Sequence, residues 1–238
     1  ILNGISNTEI NGLIIQSLSP IAKPKIRTQI EEIDGRDGDI VTKLGYGAYD
    51  KEINIGLSYN YDVDEIIKYF DSEGTVTFSN EPNKYYNYQI LEQIDFQRLI
   101  RFKTAVVKMH VQPFKYSTIE TIKSFDTNNA VVRNSGNYFS RPKFTIYGSG
   151  TINLSINNLQ IFVIQLGEEG YITIDSAKME AYKDAILKNR LVTGDYENCI
   201  LDIGNNTINL NPFVSATNTK NIYICYIIKY SLLSSNSL

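Results

Sequence analysis

The residues with the clearest potential for chemistry lie in an acidic, glycine-containing segment at 31–39. Its aspartates Asp34, Asp37 and Asp39 carry carboxylates, which Ca²⁺ prefers as ligands. A helix-loop-helix calcium site, however, has ligands on alternate residues and a bidentate Glu at its twelfth position, which here is Gly45. The glycines of the segment can take positive φ and the aspartates can bond their own backbone, so the composition favours a shaped turn over a calcium site.

The chain has a single histidine, His110, and two cysteines, Cys199 and Cys225. Because no second histidine is present, a histidine-rich metal site cannot form, and the strand-like sequence around His110 indicates a strand residue with a satisfied ring. The two thiols fit no metal-binding spacing and are too few for a disulfide framework. We therefore expect reduced cysteines that act as small apolar side chains.

The sequence contains no recognisable catalytic motif. The phosphate-binding loop, the dinucleotide-binding glycine pattern and the nucleophile elbow of the hydrolases are all missing. Two carboxylates could cleave a glycosidic bond without histidine, but the sequence marks out no such pair. We predict that the protein is not an enzyme and that it uses no cofactor and no metal.

Composition indicates a globular chain. Its 238 residues are 42% hydrophobic, which is enough for one large or two ordinary cores. The net charge is −3 and the basic residues are scattered, so we expect no specific nucleic-acid binding. No apolar run has the length of a membrane span, and the sequence does not begin like a secretory signal, so we expect no membrane contact and synthesis in the cytoplasm.

The elements that position these residues are mostly predicted strands. Alternating residues flank the acidic segment, and Asn11-Gly12 predicts a tight turn between two strands. One helix is expected, with Asp62 as its N-cap, Glu65 completing a capping box and Gly74 ending it.

Further strands are predicted at 75–79 and 85–94, followed by a long one at 98–112. Both faces of the long strand mix apolar and polar residues, which is typical of a barrel wall or an oligomer interface. The tyrosines at the start of 85–94 fit a core, a subunit contact or a platform for a ligand, and the sequence leaves these alternatives open.

The second half begins after a polar connector, and we place the domain boundary between residues 125 and 126. Short strands separated by turn residues are predicted at 143–147, 151–156, 159–165, 171–175 and 222–230. This spacing is typical of a β-sandwich. The segment 176–188 consists of good helix formers, so propensity alone predicts a helix there.

Several short motifs follow one another in a fixed order along the chain. They are the acidic turn at 33–39, Gly45-Tyr46, the short helix, Phe78 to Pro82, Tyr85-Tyr86, Val111 to Tyr116, Gly194 to Tyr196 and Gly204 to Ile208. Each is weak alone, but their order and spacing resemble the distal tail protein family of tailed bacteriophages.

The resemblance implies a mainly β fold. The N-terminal part, 1–125, would be a ring-forming, β-barrel-like domain with one short helix, and the C-terminal part, 126–238, a galectin-like β-sandwich. It also implies a turn followed by strand at 176–188, against the helix that propensity predicts.

The resemblance further implies a structural protein of the virion tail. Such proteins form a homohexameric ring that joins the tail tube protein to the tail-tip or baseplate hub protein, lets DNA pass and can contact a receptor-binding protein. Each subunit of a closed ring buries one of its surfaces against a different surface of the next subunit. We expect these ring contacts at the acidic turn and on the long strand. The candidate subunit-interface residues are Asp34, Gly35, Arg36, Asp37, Val106, Lys108 and His110.

An alternative function is that of a carbohydrate-binding module for attachment to the host cell surface. It would act through the C-terminal sandwich and would require aromatic or polar side chains clustered on one face. The sequence shows no inserted carbohydrate-binding module between Gly148 and Ile208, which makes this alternative the weaker one.

Overall fold

The computed structural model describes residues 1–125, 129–211 and 222–230. These residues form two compact units, Ile1–Tyr116 and Ser117–Tyr230. The units therefore divide nine residues before the boundary predicted between residues 125 and 126. That boundary lies next to residues 126–128, which are outside the described part of the chain, as are 231–238 at the end of the predicted second domain.

The first unit contains seven strands and two α-helices. The strands are β1 (Leu13–Leu18), β2 (Ile26–Glu32), β3 (Asp39–Tyr46), β4 (Tyr49–Leu57), β5 (Glu73–Val76), β6 (Lys84–Gln89) and β7 (Thr104–Ser117), and the helices are α1 (Val63–Phe70) and α2 (Phe96–Phe102). Five of these strands form one sheet in the order β1-β4-β7-β6-β5, and β2 and β3 form a separate hairpin. Since β1 and β5 lie at opposite ends of this order, the sheet is open, and the prediction of a β-barrel-like domain was wrong in this respect.

Helix α1 was predicted and is confirmed. The carboxylate of Asp62 accepts hydrogen bonds from the backbone N–H groups of Asp64 and Glu65, and Ile66 and Phe70 are buried against the sheet. The predicted capping box is not formed, because the carboxylate of Glu65 accepts from the backbone N–H of Asn11 instead.

Two further predictions for the first unit were wrong, the end of α1 at Gly74 and the strand before Asn11-Gly12. Gly74 lies inside β5, whereas α1 ends at Phe70. Asn11-Gly12 is preceded by a short 3₁₀-helix, Asn7–Glu9, so only one strand flanks the turn. Ser6 and Glu9 form a capping box on this 3₁₀-helix, and their local hydrogen bonds replace the first predicted strand.

The strand predicted at 98–112 is a helix followed by a strand. Asp95 caps α2 by accepting from the backbone N–H of Arg98 at 2.8 Å, and Lys103 then adopts a left-handed conformation with φ of 58°. Leu99 is fully buried and Phe96, one turn before it, also packs against the core, so the segment contacts the core as a helix although its sequence also alternates. The strand β7 begins at Thr104 and continues past Pro113 to Ser117. With α2, the domain has two α-helices where one was predicted.

The tyrosines at the start of β6 belong mainly to the core. Tyr86 and Tyr88 are buried, at 1% and 2% exposure, while Tyr85 stacks on Tyr116 with ring centroids 5.4 Å apart. Strand β6 ends at Gln89, five residues before the predicted end at 94.

The second unit contains β8 to β19 and a short 3₁₀-helix, Asn189–Leu191. The strands are β8 (Thr121–Phe125), β9 (Ala130–Asn134), β10 (Lys143–Tyr147), β11 (Gly150–Ile156), β12 (Leu159–Gly167), β13 (Tyr171–Asp175), β14 (Glu180–Lys183), β15 (Ile186–Leu187), β16 (Val192–Gly194), β17 (Gly204–Asn211), β18 (Ile222–Tyr226) and β19 (Lys229–Tyr230). The strands other than β19 form a sheet of order β15-β14-β13-β10-β18-β8 and a second sheet of order β16-β12-β11-β17-β9. Side chains of both sheets, such as Ile146 and Leu154, share one buried cluster, which confirms the predicted sandwich.

The segment 176–188 contains no helix, in agreement with the prediction from the resemblance. The carboxylate of Asp175 accepts from the backbone N–H groups of Ala177 and Lys178, both at 3.1 Å, and closes a turn after β13. The chain then continues as β14 and β15. The pairing of β14 with β13, which buries Ala181, thus overrides the helical propensity of the segment.

Candidate assembly surfaces

The acidic segment forms the end of the β2–β3 hairpin, which comprises residues 26–46. Asp34, Gly35, Arg36 and Asp37 all lie in the turn between the two strands, and Gly35 has φ of 83°. The backbone N–H of Arg36 donates to the carbonyl of Ile33 at 3.1 Å and closes the turn. The predicted shaped turn is therefore present, and all four candidate residues are exposed.

The hairpin exposes apolar side chains on both strands. Ile30 and Val41 pair across the hairpin, so they point to the same face, and they are 59% and 55% exposed. Ile33, Ile40 and Leu44 are also exposed. An isolated two-stranded hairpin is only marginally stable in water, so this element is expected to be covered in the functional protein.

The end of the hairpin is strongly acidic. Between residues 31 and 39 the sequence has five carboxylates and one arginine, a net charge of −4 at neutral pH. Within the described part of the chain, none of these six side chains forms an ion pair. The hairpin thus offers an apolar stem and an acidic end to a partner.

The other candidate residues lie on the solvent face of β7. Val106, Lys108 and His110 alternate with the buried residues of that strand. Lys108 Nζ lies 2.6 Å from Glu92 Oε1 and 3.2 Å from Asp50 Oδ2, and His110 Nδ1 lies 2.8 Å from Asp50 Oδ1. The ammonium of Lys108 donates hydrogen bonds to Glu92 and Asp50, and these bonds raise the pKa of Lys108. The hydrogen bond with His110, followed by the interactions with Lys108, lowers the pKa of Asp50.

The structure therefore brings the candidates together as two groups, one at the end of the hairpin and one on β7. Lys108 and His110 already have carboxylate partners in their own copy, whereas Val106 is an apolar side chain that is 48% exposed. Of the β7 residues, Val106 is consequently the one whose burial by a partner would be favourable without breaking an ion pair.

Sequence reasoning missed a third surface, on helix α2. Ile100 and Phe102 are 41% and 62% exposed there, and Arg98 and Arg101 are exposed beside them. The guanidinium of Arg101 lies 5.3 Å from the centroid of the Phe102 ring. Asp95 as an N-cap was the local signal for this helix, but the alternation of the following residues favoured a strand. We call these four side chains the α2 surface.

A buried ionic cluster lies in the first unit. The ammonium of Lys115 and the hydroxyl of Tyr86 both donate to the carboxylate of Glu81, and Lys84 Nζ lies 3.8 Å away. Lys51 is buried nearby, donates to the carbonyl of Pro20 at 3.2 Å and lies over the rings of Phe78 and Tyr86. Each of these groups has a protein partner, so the cluster joins β4, β6 and β7 rather than presenting a reactive group.

A further cavity of about 360 Å³ in the first unit is lined mainly by apolar side chains such as Leu18, Ile53, Phe70 and Met109. It presents no pair of acidic side chains and no histidine. Across the described residues, no group of three or more His, Cys, Asp or Glu is placed to hold a metal ion, including Asp34, Asp37 and Asp39. No helix of the described chain is long and apolar enough to cross a membrane.

The second unit carries a row of tyrosines on the outer face of its β15-β8 sheet. Tyr147 stacks on Tyr171 with centroids 5.3 Å apart and meets Tyr223 edge-on at 5.7 Å. Thr145 and Thr173, in the next row of the same face, share a hydrogen bond of 3.1 Å. We call these five side chains the tyrosine face. Its residues on β10 and β13 are two apart in sequence, and this spacing could have predicted that they share one face of the sheet.

The open sheet, the hairpin and the two-sheet sandwich make a mainly β fold that matches a solved phage tail hub protein, so the predicted mainly β fold and the predicted resemblance are confirmed at the level of fold. The chain is similar to the crystal structure of phage SPP1 Dit (gp 19.1), with a TM-score of 0.70, 15% sequence identity, and coverage of 95% of this chain and 96% of that one. SPP1 Dit is described as a paradigm of the hub adsorption apparatus in phages that infect Gram-positive bacteria. No protein-family model matches the sequence, and no curated protein is significantly similar to it.

Proposed function

We propose that this protein is the distal tail hub of a phage virion and that it assembles as a hexameric ring. The observation that carries the proposal is the β2–β3 hairpin, whose apolar side chains are exposed in a single copy and are expected to be buried by a partner. This hairpin occurs in a chain with the fold of a tail hub protein. The ring joins the tail tube protein to the tail-tip or baseplate hub protein, supports a receptor-binding protein and leaves a central passage for DNA. Its role is structural, without cofactor or catalysis.

Solution mass and shape test this proposal. We expect light scattering over a concentration series to show a species of six copies, and negative-stain images to show closed rings with an open centre. A protein that remains monomeric at every concentration, alone and with purified tail tubes, would contradict the ring. Antibody labelling should place the protein at the end of the tail in intact virions.

The tyrosine face supports a second candidate function, binding of carbohydrate at the host cell surface. Aromatic rings beside hydroxyl groups on one sheet face are what the sequence-based alternative required. Pull-down with purified host cell walls tests it. We expect Tyr147→Ala with Tyr223→Ala to abolish retention, and Tyr59→Ala, at a fully exposed tyrosine of the first unit, to leave it unchanged. Absence of retention by the unmodified protein would argue against this candidate.

A further inference from the structure

We infer that the β2–β3 hairpin of one copy lies on the α2 surface of the next copy and that this contact closes the ring. The inference rests on the proposed function and names the receiving surface for the hairpin. Because the two surfaces are different parts of the same chain, each copy gives one hairpin and receives another. Such a heterologous contact produces a ring when its rotation closes.

The apolar parts of the two surfaces match. Ile30 and Val41 form an exposed pair on one face of the hairpin, and Ile100 and Phe102, which point to different sides of α2, both line one open groove beside that helix. All four side chains are more than one-third exposed in the separate copy. Burial of each would contribute favourable free energy in proportion to the apolar area removed from water.

The charges of the two surfaces are opposite. The end of the hairpin carries a net charge of −4, while the α2 surface carries the guanidinium groups of Arg98 and Arg101. Neither arginine forms an ion pair with a carboxylate of its own copy among the described residues. Complementary charge of this kind steers association and selects the partner surface.

The other exposed surfaces of the first unit fit the hairpin less well. On β7, Lys108 is already held by Asp50 and Glu92, so an acidic hairpin end would compete with existing ion pairs. The α2 surface combines exposed apolar side chains with cations that have no carboxylate partner in the described chain. It is therefore the favoured acceptor.

A charge-exchange experiment tests the contact. The hairpin variant carries Asp34→Lys and Asp37→Lys, and the helix variant carries Arg98→Glu and Arg101→Glu. All four positions are exposed, so both variants should fold, which circular dichroism melting would verify. We expect each variant alone to need a more than about tenfold higher concentration to assemble, because the hairpin variant loses the net negative charge of its hairpin end and the helix variant places carboxylates opposite an acidic hairpin.

An equimolar mixture of the two variants should restore closed rings. In a ring of alternating copies, every hairpin with the two introduced lysines meets a helix with the two introduced glutamates, and every unmodified acidic hairpin meets an unmodified basic helix. A control with Lys178→Glu and Arg190→Glu reverses two exposed charges of the second unit and should assemble like the unmodified protein.

The outcomes separate this contact from the proposed function. Unmodified rings together with unaffected variants would overturn the contact and leave the ring standing. Loss of rings in both variants without restoration in the mixture would also overturn it and would assign the hairpin to another surface, such as that of the tail tube protein. An unmodified protein that forms no closed assembly would overturn the ring itself.

Discussion

Lys115 and Glu81 form an ion pair in the interior of the first unit, with both side chains only 7% exposed. They are separated by 34 residues, so the pair connects the turn before β6 with β7. Tyr86 donates to the same carboxylate from β6. Removal of one member would leave the other charge buried without its partner, which is more costly than the loss of an exposed pair.

Lys115→Met should therefore lower the free energy of unfolding by about 3 to 5 kcal/mol, measured by urea denaturation. The matched control is Glu92→Gln, which removes the ion pair between Lys108 and Glu92. Because the side chain of Glu92 is 61% exposed, this change should lower the free energy of unfolding by less than about 1 kcal/mol. Equal losses for the two variants would contradict the importance of the buried pair.

The pH dependence of stability should reveal the same pair. Burial alone would raise the pKa of Glu81, but the hydrogen bonds from Lys115 and Tyr86 outweigh burial and place it below the ordinary value of 4.5. A carboxyl group with a lowered pKa in the folded state stabilises the protein fully above 4.5, and this stabilisation is lost as the pH falls through the folded-state pKa. Glu81→Gln should lose less stability than the unmodified protein between neutral pH and pH 3, as measured by urea titration. A parallel loss in both would contradict the assignment.

The two thiols should differ from ordinary cysteines in their reactivity. Burial raises the pKa of Cys199 to about 12, so it should react with Ellman's reagent only after unfolding. Burial, followed by the hydrogen bond to Glu120, raises the pKa of Cys225 to about 11. Glu120→Gln should speed the reaction of Cys225 by up to about tenfold, since one pKa unit changes the thiolate fraction tenfold. Equal rates in the variant and the unmodified protein would show that burial alone controls Cys225.

The end of β16 provides a test of backbone strain. Gly194 has φ of 153°, and a Cβ there would lie 2.0 Å from the carbonyl oxygen of Ile161. Gly194→Ala should lower stability by at least about 1 to 3 kcal/mol. The control is Gly150→Ala, where φ is 74° but an added Cβ would meet nothing within 4 Å, so only the conformational cost of about 1 to 2 kcal/mol applies. Thermal melting of both variants gives the comparison, and equal losses would exclude the close approach to Ile161 as the cause.

The sequence predicts those parts of the fold whose causes are local. Helix α1 could be predicted because Asp62 and the apolar stripe lie within a few residues of one another. Helix α2 was not predicted, because Phe96–Phe102 continues the alternation of β7 and this pattern outweighed its local signal, the N-cap Asp95. The pair of Glu81 and Lys115 has no local signal, since it exists only after distant strands meet.

The same reasoning applies to the candidate surfaces. The end of the hairpin was predictable because glycine and aspartate fix a turn through their own backbone. The α2 surface was not, because its arginines become one patch only when the segment is helical. Tyr147 and Tyr223, which belong to strands far apart in sequence, come together only when β10 pairs with β18.

Ring assembly should be more sensitive than folding to the two groups of predicted interface residues. Val106 is 48% exposed and Arg36 is exposed, so Val106→Asp and Arg36→Glu should each change the melting temperature of the monomer little. Val106→Asp should nevertheless weaken assembly if the solvent face of β7 is buried between copies, because it would then bury an unpaired charge. Arg36→Glu changes the net charge of the hairpin end from −4 to −6, so it should strengthen assembly if that end lies against the basic α2 surface. Sedimentation velocity over a concentration series measures the shift, and Lys178→Glu, a charge reversal in the second unit, is the control. Unchanged assembly in Val106→Asp alone would remove β7 from the interface and leave the hairpin as the ring contact, whereas unchanged assembly in both would contradict the assignment of all seven residues.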